Sequence, residues 1–191
     1  MKISKLFTAM IIILLSENAS AAGLFFEGGI HTGGDTLASV NFTSGQSETI
    51  KAGGLLSAAI GTHFDIFDTL QGRISIGYKF DTINASNADL KFSRIPLEFL
   101  LLKRIDSWML GGGITRHLSP KFTVDASALG ASGTADFNDS NGIVLAIDYV
   151  SHTNTTSQWY LGLRYTGIDY ENQYGSVSGN SIGVVIGFLF Y

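Results

Sequence analysis

The 191-residue chain contains no cysteine, only two prolines and little charge. Without cysteine, no disulfide can hold the fold together. Charged residues make up 15% of the chain, and the formal net charge is −4. A nucleic-acid-binding surface needs clustered basic residues, so the composition gives no support for nucleic acid as a partner.

The sequence also lacks a long apolar run outside its first residues. No segment after residue 21 contains 18 consecutive apolar residues, which argues against a transmembrane helix in that part. We therefore expect one domain over residues 22–191 that uses another kind of secondary structure.

The N-terminal segment has the layout of a secretory signal peptide. Lys2 and Lys5 give a short positive region, an apolar run follows, and Ala19–Ser20–Ala21 matches an A-x-A cleavage pattern. The apolar run is shorter than the roughly 20 residues that a spanning helix needs, although an N-terminal anchor helix is the alternative. We expect residues 1–21 to be removed, which leaves 10 basic and 15 acidic residues in the mature chain.

What the chain does contain is glycine and aromatic residues in alternating patterns. It has 23 Gly, 13 Phe, 7 Tyr and 2 Trp, and period-2 alternation of apolar with small or polar residues recurs eight times. Alternation of this kind predicts strands. The predicted strands run from about Leu24 to Phe42, Thr49 to Phe64, Leu70 to Thr82, Lys91 to Lys103, Trp108 to Leu118, Gly142 to Ser151, Trp159 to Tyr170 and Ser181 to Tyr191.

One face of each predicted strand is large and apolar, and the other mixes glycine with charge. A soluble sandwich would bury the apolar face, whereas a membrane barrel would turn it toward lipid. A solvated face has no need of so much glycine, but the interior of a narrow eight-stranded barrel does. The sequence therefore predicts an all-β, eight-stranded antiparallel up-and-down transmembrane barrel after a cleaved signal peptide.

The connections between the predicted strands differ in length. "DIFDT", "RIDS" and "HTNTTSQ" are short, whereas "SPKFTVDASALGASGTADFNDSN" and "ENQYGSVSGN" are longer and polar. Short turns at one end and longer loops at the other are typical of outer-membrane barrels, with the short turns in the periplasm. We expect a Gram-negative outer-membrane protein with both termini in the periplasm.

Aromatic residues recur where the predicted strands meet a membrane interface. Trp108 and Trp159 each follow a short turn, and Phe188 and Phe190 lie near the end of the last strand. We assign these four to the periplasmic interface, and Phe80, Phe92, Tyr165 and Tyr170 to the opposite one.

These features resemble the small OmpA/OmpX-like outer-membrane β-barrels over the whole mature chain. "IPLEFLLLKRIDSWMLGGGITRHLSPKF" is similar to the hairpin of strands four and five in that group. The resemblance implies that the last strand, through Phe188 and Phe190, is recognised by the outer-membrane assembly machinery. Tyr191 departs from the pattern because it follows Phe190, so the terminal aromatic residue could belong to either face.

A set of charged and imidazole side chains falls on the inward face of the predicted barrel. Opposite charges inside a narrow barrel should pair, because an isolated buried charge is costly. We expect a salt-bridge network that plugs the lumen, with a narrow ion path as the alternative. The expected network comprises Glu27, His31, Asp35, His63, Arg73, Lys79, Arg94, Glu98, His117, Asp148 and Arg164.

His117 and Ser119 form an H-x-S pattern that resembles the pair of lipid A deacylase barrels. Residues two apart share a strand face, so this pair could act as base and nucleophile. A third member of a triad and the fuller motif of that family are missing, and we interpret the chain as non-enzymatic. The four histidines have no metal-ligand spacing, and we predict neither a metal nor a cofactor.

The predicted loops are rich in Ser, Asn, Asp, Gly and Thr. Such loops could bind a ligand outside the cell or could simply keep this end of the protein soluble, and both alternatives fit the composition. We expect a monomer with a structural or surface-interaction role, surrounded by outer-membrane lipid and lipopolysaccharide.

Overall fold

The computed structural model describes residues 22–41, 45–85, 88–126, 130–151 and 156–191. The predicted signal peptide, residues 1–21, lies outside the described residues and stays a prediction. Within the described ranges, no helix is long and apolar enough to cross a membrane.

The regular structure of the described residues consists of antiparallel β-strands. In chain order they are β1 (Gly23–Thr32), β2 (Thr36–Asn41), β3 (Ser47–Lys51), β4 (Leu55–Phe67), β5 (Leu70–Ala85), β6 (Ala88–Ile105), β7 (Trp108–Ala126), β8 (Ala131–Asp136), β9 (Ser140–Val150), β10 (Ser157–Gly167), β11 (Asp169–Asn172), β12 (Gly175–Ser178) and β13 (Ser181–Phe190).

Eight of these strands close into a barrel, which confirms the predicted fold. Around the ring the order is β6, β5, β4, β1, β13, β10, β9 and β7, and β7 pairs again with β6. The first and last strands meet in register, with Leu24 opposite Phe190 and Thr32 opposite Ile182. Because every barrel strand has two partners, the ring leaves no open edge in the barrel wall.

The two faces of the wall differ as the alternation predicts. In β13, burial alternates at every residue, and Phe188 and Phe190 are exposed while Val185 and Leu189 are buried. The predicted register of the last strand is therefore correct in spite of Tyr191. The exposed outer face is large and apolar around the ring; it includes Leu24, Phe26, Ile30, Leu56, Ile60, Ile76, Tyr78, Leu101, Leu110, Ile114, Ile143, Leu145, Ile147, Leu161, Leu163, Ile182, Val184 and Ile186.

The first two predicted strands are too long, because a hairpin interrupts them. Gly33 and Gly34 adopt φ angles of +125° and +75°, which L side chains rarely adopt, and end β1 after Thr32. The chain then forms the β2–β3 hairpin before β4 begins at Leu55. Phe42, the predicted end of the first strand, lies outside the described residues.

Interior glycines make room for larger side chains. A Cβ at Gly183 would overlap the ring of His31, and a Cβ at Gly187 would overlap the ring of Tyr160. The glycine-rich inner face therefore allows a narrow barrel to enclose bulky polar residues.

We call one end of the barrel the turn end, because β4–β5 and β6–β7 are joined there by two-residue turns, and both Ala22 and Tyr191 lie there. The other end is the loop end. Apolar side chains fill the interior toward the turn end; this cluster consists of Phe25, Leu100, Leu102, Met109, Val144, Ala146, Val150, Tyr160, Val185 and Leu189.

A second apolar cluster, which we call the cap, lies at the loop end. It brings the β2–β3 hairpin and the segment after it together with the outer parts of β5 and β6 and with β11. Its buried members are Ile50, Ala52, Ile83, Leu90, Phe92, Ile168 and Tyr170.

Candidate functional site

The charged side chains predicted to face the interior are placed there with one exception. His31, His63, Arg73, Lys79, Arg94, His117, Asp148 and Arg164 are buried, and Glu27 and Glu98 are partly buried on the same inner face. Asp35 is the exception, and its assignment to the interior is wrong. Because Gly33 and Gly34 turn the chain out of β1, the Asp35 side chain is exposed and accepts a 2.7 Å hydrogen bond from the backbone N–H of Ser178.

Four of the predicted residues form what we call the ion-pair cluster: Glu27, Arg73, Asp148 and Arg164. Arg73 Nη1 lies 2.9 Å from Asp148 Oδ2, and Arg164 Nη2 lies 2.8 Å from Glu27 Oε2. Arg164 Nη1 also pairs with Asp148 Oδ1. Asp148 thus bridges two guanidinium groups on different strands, and its side chain is 0% exposed.

Neutral groups add hydrogen bonds to the ion-pair cluster. The Tyr160 hydroxyl donates to Glu27 Oε2 at 2.8 Å, and Arg73 Nε donates to Gln71 Oε1 at 3.0 Å. The guanidinium carbon of Arg73 lies 4.6 Å from the Tyr160 ring centroid, within the range of a cation–π interaction. The cluster joins β1, β5, β9 and β10 across the interior.

His31, Lys79, Arg94 and His117 lie closer to the loop end and form what we call the hydrogen-bonded group. Lys79 Nζ donates to Ser181 Oγ at 2.9 Å, and Arg94 Nη2 donates to the Gly54 carbonyl oxygen at 2.8 Å. His31 Nε2 lies 2.8 Å from Ser57 Oγ, and His117 Nδ1 lies 2.6 Å from the Tyr170 hydroxyl. Within the described part of the chain, none of these four side chains makes an ion pair.

Two further members of the predicted network stand apart from these groups. His63 lies at the turn end, where its Nε2 is 3.1 Å from the Phe190 carbonyl oxygen and its ring packs edge-on against Tyr191. Glu98 lines a cavity in the middle of the barrel. The sequence pattern places all these residues inside but does not predict which of them meet.

The central cavity separates the two groups of charged residues. Its volume is about 30 Å³, and it is lined by side chains of both groups together with Glu98, Ser57 and Ser75. A cavity of this size holds about two water molecules. Two of the residues that line the cavity each have a buried polar atom without a hydrogen-bond partner among the described residues. These atoms are Nδ1 of His31 and Nε of Arg164. These atoms are suitable partners for such waters.

His117 and Ser119 do not form the pair that their spacing suggests. β6 and β7 shift register near this point, so that Ser119 and Pro120 together stand opposite Arg94. Ser119 adopts a φ of +48° and is exposed, whereas His117 is buried and bonded to Tyr170. The β-bulge therefore breaks the rule that residues two apart share a face, and the pair is not brought together.

The four aromatic residues predicted for the turn-end interface lie on the outer face. Trp108, Trp159, Phe188 and Phe190 are between 39% and 49% exposed. Tyr149 packs between the two tryptophans, with ring centroids at 5.3 Å from Trp108 and 6.3 Å from Trp159.

At the loop end, two aromatic predictions are wrong. Phe92 and Tyr170 are completely buried in the cap and do not face outward. The ring of Phe92 lies 5.5 Å from that of Tyr170, and the Arg94 guanidinium lies 4.9 Å from the Phe92 centroid. The loops are polar in overall composition, but they contain isolated apolar residues. These residues are the sequence signal that could have indicated the cap.

Exposed polar contacts join the segments around the cap. Arg116 Nη2 lies 3.1 Å from Asp139 Oδ2, and the Ser119 backbone N–H donates to Asp139 Oδ1 at 3.0 Å. These two contacts, that of the Ser119 N–H first, lower the pKa of the Asp139 carboxyl. Asp139 thus fixes the start of β9 to the bulge in β7.

Nothing in the described residues assembles a metal site, since no three His, Asp or Glu side chains are placed to hold an ion. Of the four histidines, His152 lies outside the described residues.

Comparison by sequence finds no matching family model and no matching curated protein. Comparison by structure finds outer-membrane barrels. Neisserial surface protein A matches with a TM-score of 0.55 at 15% identity, over 91% of this chain and 99% of its own. Ail, the attachment invasion locus protein of Yersinia pestis, solved with the heparin analogue sucrose octasulfate, matches with a TM-score of 0.54 at 8% identity, over 88% of this chain and 96% of its own. The chain therefore has the fold of the small outer-membrane β-barrels.

Proposed function

We propose that the chain is an integral outer-membrane protein of a Gram-negative bacterium, with the loop end at the cell surface and both termini in the periplasm. The apolar outer face carries the proposal, because a soluble protein rarely exposes a continuous apolar surface of this extent. The fold that the chain shares with Neisserial surface protein A and Ail supports a location in the outer membrane.

Lipid and lipopolysaccharide would surround the apolar outer face, and the protein would be a monomer. The barrel wall has no open edge that would require a second copy, and the aromatic residues at the turn end are suited to a membrane interface.

We propose further that the lumen is plugged and that the protein catalyses no reaction. Side chains as large as Arg73, Arg94, Tyr160 and Met109 are less than 2% exposed inside it. A 30 Å³ cavity leaves room for water molecules but not for a solute path. The separation of His117 from Ser119 removes the reason for proposing a lipid A deacylase.

The remaining role is at the loop end, as a structural or surface-interaction element. The cap gives this end a hydrophobic core of its own, which polar loops that serve only solubility do not need. Its ligand should differ in charge from that of Ail, since sucrose octasulfate is a polyanion. In this chain, residues 33–54, 81–91, 116–141 and 168–180 together carry nine acidic and four basic residues.

Membrane fractionation tests the location, together with gel mobility that changes on heating. We expect the protein in the outer-membrane fraction, and protease added to whole cells should cleave only at the loop end. Recovery as a soluble periplasmic protein would overturn the proposal. N-terminal sequencing should give Ala22 as the first residue if residues 1–21 are cleaved.

Two assays test the function class. Planar-bilayer recordings should show no steady conductance above that of the lipid alone, and a regular single-channel current would favour the narrow-channel reading. The mass of lipid A, measured by mass spectrometry, should be unchanged by deletion of the gene. An acyl chain lost only when the gene and Ser119 are intact would establish a hydrolase instead.

A further inference from the structure

Glu98 is a carboxylate on the inner face of the wall that makes no ion pair among the described residues. It stands between Ser75 on β5 and Thr115 on β7, whose side chains carry hydroxyl groups and no positive charge. A charge in the interior loses its hydration, and other charges, hydrogen bonds or water have to compensate that loss. The central cavity, which Glu98 lines, is therefore the place to look for this compensation.

Small residues on the inner face make room for the central cavity beside Glu98. Ala59, Gly77 and Pro96 all line the cavity. A Cβ at Gly77 would lie 3.2 Å from the Ala59 Cβ and 3.3 Å from the Pro96 Cγ. Because these side chains are short, the space between the larger polar residues stays open in an interior that is otherwise closely packed.

The charges around the cavity are balanced. Two carboxylates, Glu27 and Glu98, and two cations, Lys79 and Arg164, line it, so its formal charge is zero when the histidines are counted as neutral. An anion in this space would face both carboxylates, and a metal cation would face both basic side chains. Water both donates and accepts hydrogen bonds, and it therefore suits a lining of mixed charge.

Hydrogen-bond donors are available on the residues that line the cavity. Arg164 Nε and His31 Nδ1 are buried without a partner among the described residues. Lys79 donates to Ser181, but an ammonium group has three N–H donors. Lys79 and Arg164 are each only 4% exposed, so bulk solvent does not hydrate them. On the acceptor side, the ionised carboxylate of Glu98 has about four lone-pair sites.

We propose that the central cavity is a binding site for water, and that its water molecules bridge the Glu98 carboxylate to the buried cations Lys79 and Arg164. The volume of about 30 Å³ holds about two molecules. A water-mediated hydrogen bond is nearly as favourable in enthalpy as a direct one, so it compensates Glu98 where no direct ion pair does. The inference goes beyond the plugged lumen, because it makes Glu98 the link between the ion-pair cluster and the hydrogen-bonded group.

A crystal structure of the full chain, at a resolution that shows ordered water, tests the occupant. We expect water in the cavity within hydrogen-bonding distance of a Glu98 oxygen and of Lys79 Nζ or Arg164 Nε. Crystals soaked in bromide and in rubidium should show no anomalous scattering in the cavity. An anomalous peak would replace water by an ion, and a dry cavity, or water that does not contact Glu98, would contradict the proposal.

A matched pair of variants fills the cavity or leaves it open. Ala59→Leu adds three carbon atoms on the inner face, whereas Ala58→Leu makes the same change at the next residue, whose side chain is exposed on the outer face opposite Tyr78. In NMR of the full chain in lipid nanodiscs, cross-relaxation from water to the Ser75 and Glu98 amides should occur in the parent protein and in Ala58→Leu. It should be lost in Ala59→Leu, and its persistence there would contradict the proposal. If Ala59→Leu loses its heat-modifiable mobility, the crystal structure of the parent protein still decides.

A double variant tests the coupling of the two charges. Lys79→Met and Glu98→Gln should each raise the unfolding equilibrium constant severalfold in urea titrations in vesicles, because each leaves the other charge uncompensated. The double variant should raise it at least fivefold less than the product of the two single effects. Lys79→Met combined with Asp136→Ala, which removes an exposed carboxylate, should give the product within twofold. A simple product for Lys79 and Glu98 would contradict the bridge between them.

These outcomes are separate from those that test the plugged lumen. A regular single-channel current would overturn the plugged lumen and would not affect the finding of a water bridge at Glu98. A dry cavity in a barrel that conducts nothing would contradict the water bridge alone.

Discussion

In the ion-pair cluster, Arg73 and Arg164 both contact Asp148, whereas in the hydrogen-bonded group Lys79 and Arg94 donate to neutral oxygen atoms. All four cations are buried, but only the first two have a carboxylate partner among the described residues. A buried charge loses its hydration in either case. The comparison shows two ways to compensate that loss in one narrow interior, one by opposite charge and one by dipoles and aromatic faces.

The two groups also lie in different parts of the barrel. The ion-pair cluster links four barrel strands near apolar residues that fill the turn end. The hydrogen-bonded group reaches into the cap, since Arg94 contacts Gly54 and Phe92, and His117 contacts Tyr170. We therefore expect the first group to stabilise the barrel itself, and Arg94 and His117 of the second group to hold the loops on it.

The largest effect should follow from removing the shared carboxylate. Asp148→Ala leaves Arg73 buried without a carboxylate partner and Arg164 with Glu27 alone, and we expect a loss of about 3–5 kcal/mol in the free energy of unfolding. Urea titration of folding into lipid vesicles measures it. The matched control is Asp136→Ala, whose partner Lys121 is 3.6 Å away at the exposed surface and which should cost about 0–1 kcal/mol. Equal losses would show that the ion-pair cluster is not what stabilises the barrel.

The next effect compares the inner with the outer face of the wall. Phe99 faces outward between Ile74 and Ile114 on neighbouring strands. Phe99→Arg should cost about 2–4 kcal/mol in vesicles, because an arginine there faces the middle of the membrane. Phe67→Arg, at the exposed turn end, should cost only about 0–1 kcal/mol. Glu98→Gln on the inner face should also be milder, and equal costs at Phe99 and Glu98 would contradict the assigned faces.

Arg94→Met examines the hydrogen-bonded group directly. The variant loses the bond to Gly54 but also removes a buried charge, so the barrel should lose about 1 kcal/mol or less. The cap should loosen more, and limited proteolysis of the variant should cut the loop end severalfold faster than in the parent protein. Lys79→Met is the control, because it removes a cation bonded to Ser181 on β13 and should leave proteolysis of the loop end unchanged. A barrel loss as large as that of Asp148→Ala would remove the distinction between the two groups.

A smaller effect is expected at the terminus. Tyr191 packs on His63 at 4.6 Å and its hydroxyl lies 3.1 Å from Gln158 Oε1, while Phe190 faces outward. Deleting Tyr191 alone should leave assembly in cells largely intact, because Phe190 then becomes the terminal aromatic residue. Deleting both residues should impair assembly in cells more than refolding into vesicles. Loss of assembly from the single deletion would show that Tyr191 is the recognised residue.

The smallest effect is local and depends on pH. The pKa of Asp139 is lowered by the Ser119 N–H and Arg116, so its contribution to stability is full at neutral pH and is lost as the pH falls through that lowered pKa. The protection factor of the Ser119 amide, which is the exchange rate corrected for its intrinsic pH dependence, should fall on acidification in the parent protein. Asp139→Asn should show little such change over the same range, and an identical pH response would exclude Asp139 as the titrating group.

The eight barrel strands can be predicted from the sequence because the outward face of each strand is apolar along its length. In Ile182–Phe190 every second side chain is large and apolar, and that rhythm appears directly in the sequence. β8 and β12 are built from small and polar residues, so no such rhythm marks them. The bulge at Ser119 depends on the pairing of β6 with β7, which a single segment does not reveal.

The charged site is predictable in membership but not in arrangement. Alternation places Arg73, Asp148 and Arg164 inside, since all three follow the pattern of their own strands. Whether Arg94 meets a carboxylate or a carbonyl depends on how the chain turns at Gly54, and that turn has no alternation to predict it. For the same reason the alternation wrongly predicts Asp35 inside the barrel, since β1 ends at Thr32.

Glu27 and Arg164 are separated by 137 residues, and their contact requires β1 to pair with β13. Contacts between residues so far apart in the chain form slowly, because the entropy of closing a long loop must be overcome first. The hydrogen bonds from Tyr160 and Arg164 to Glu27 can therefore form only when β1 pairs with β13 and the barrel closes. β1 must therefore wait for β10 and β13, and this buried contact is complete only once the barrel has closed.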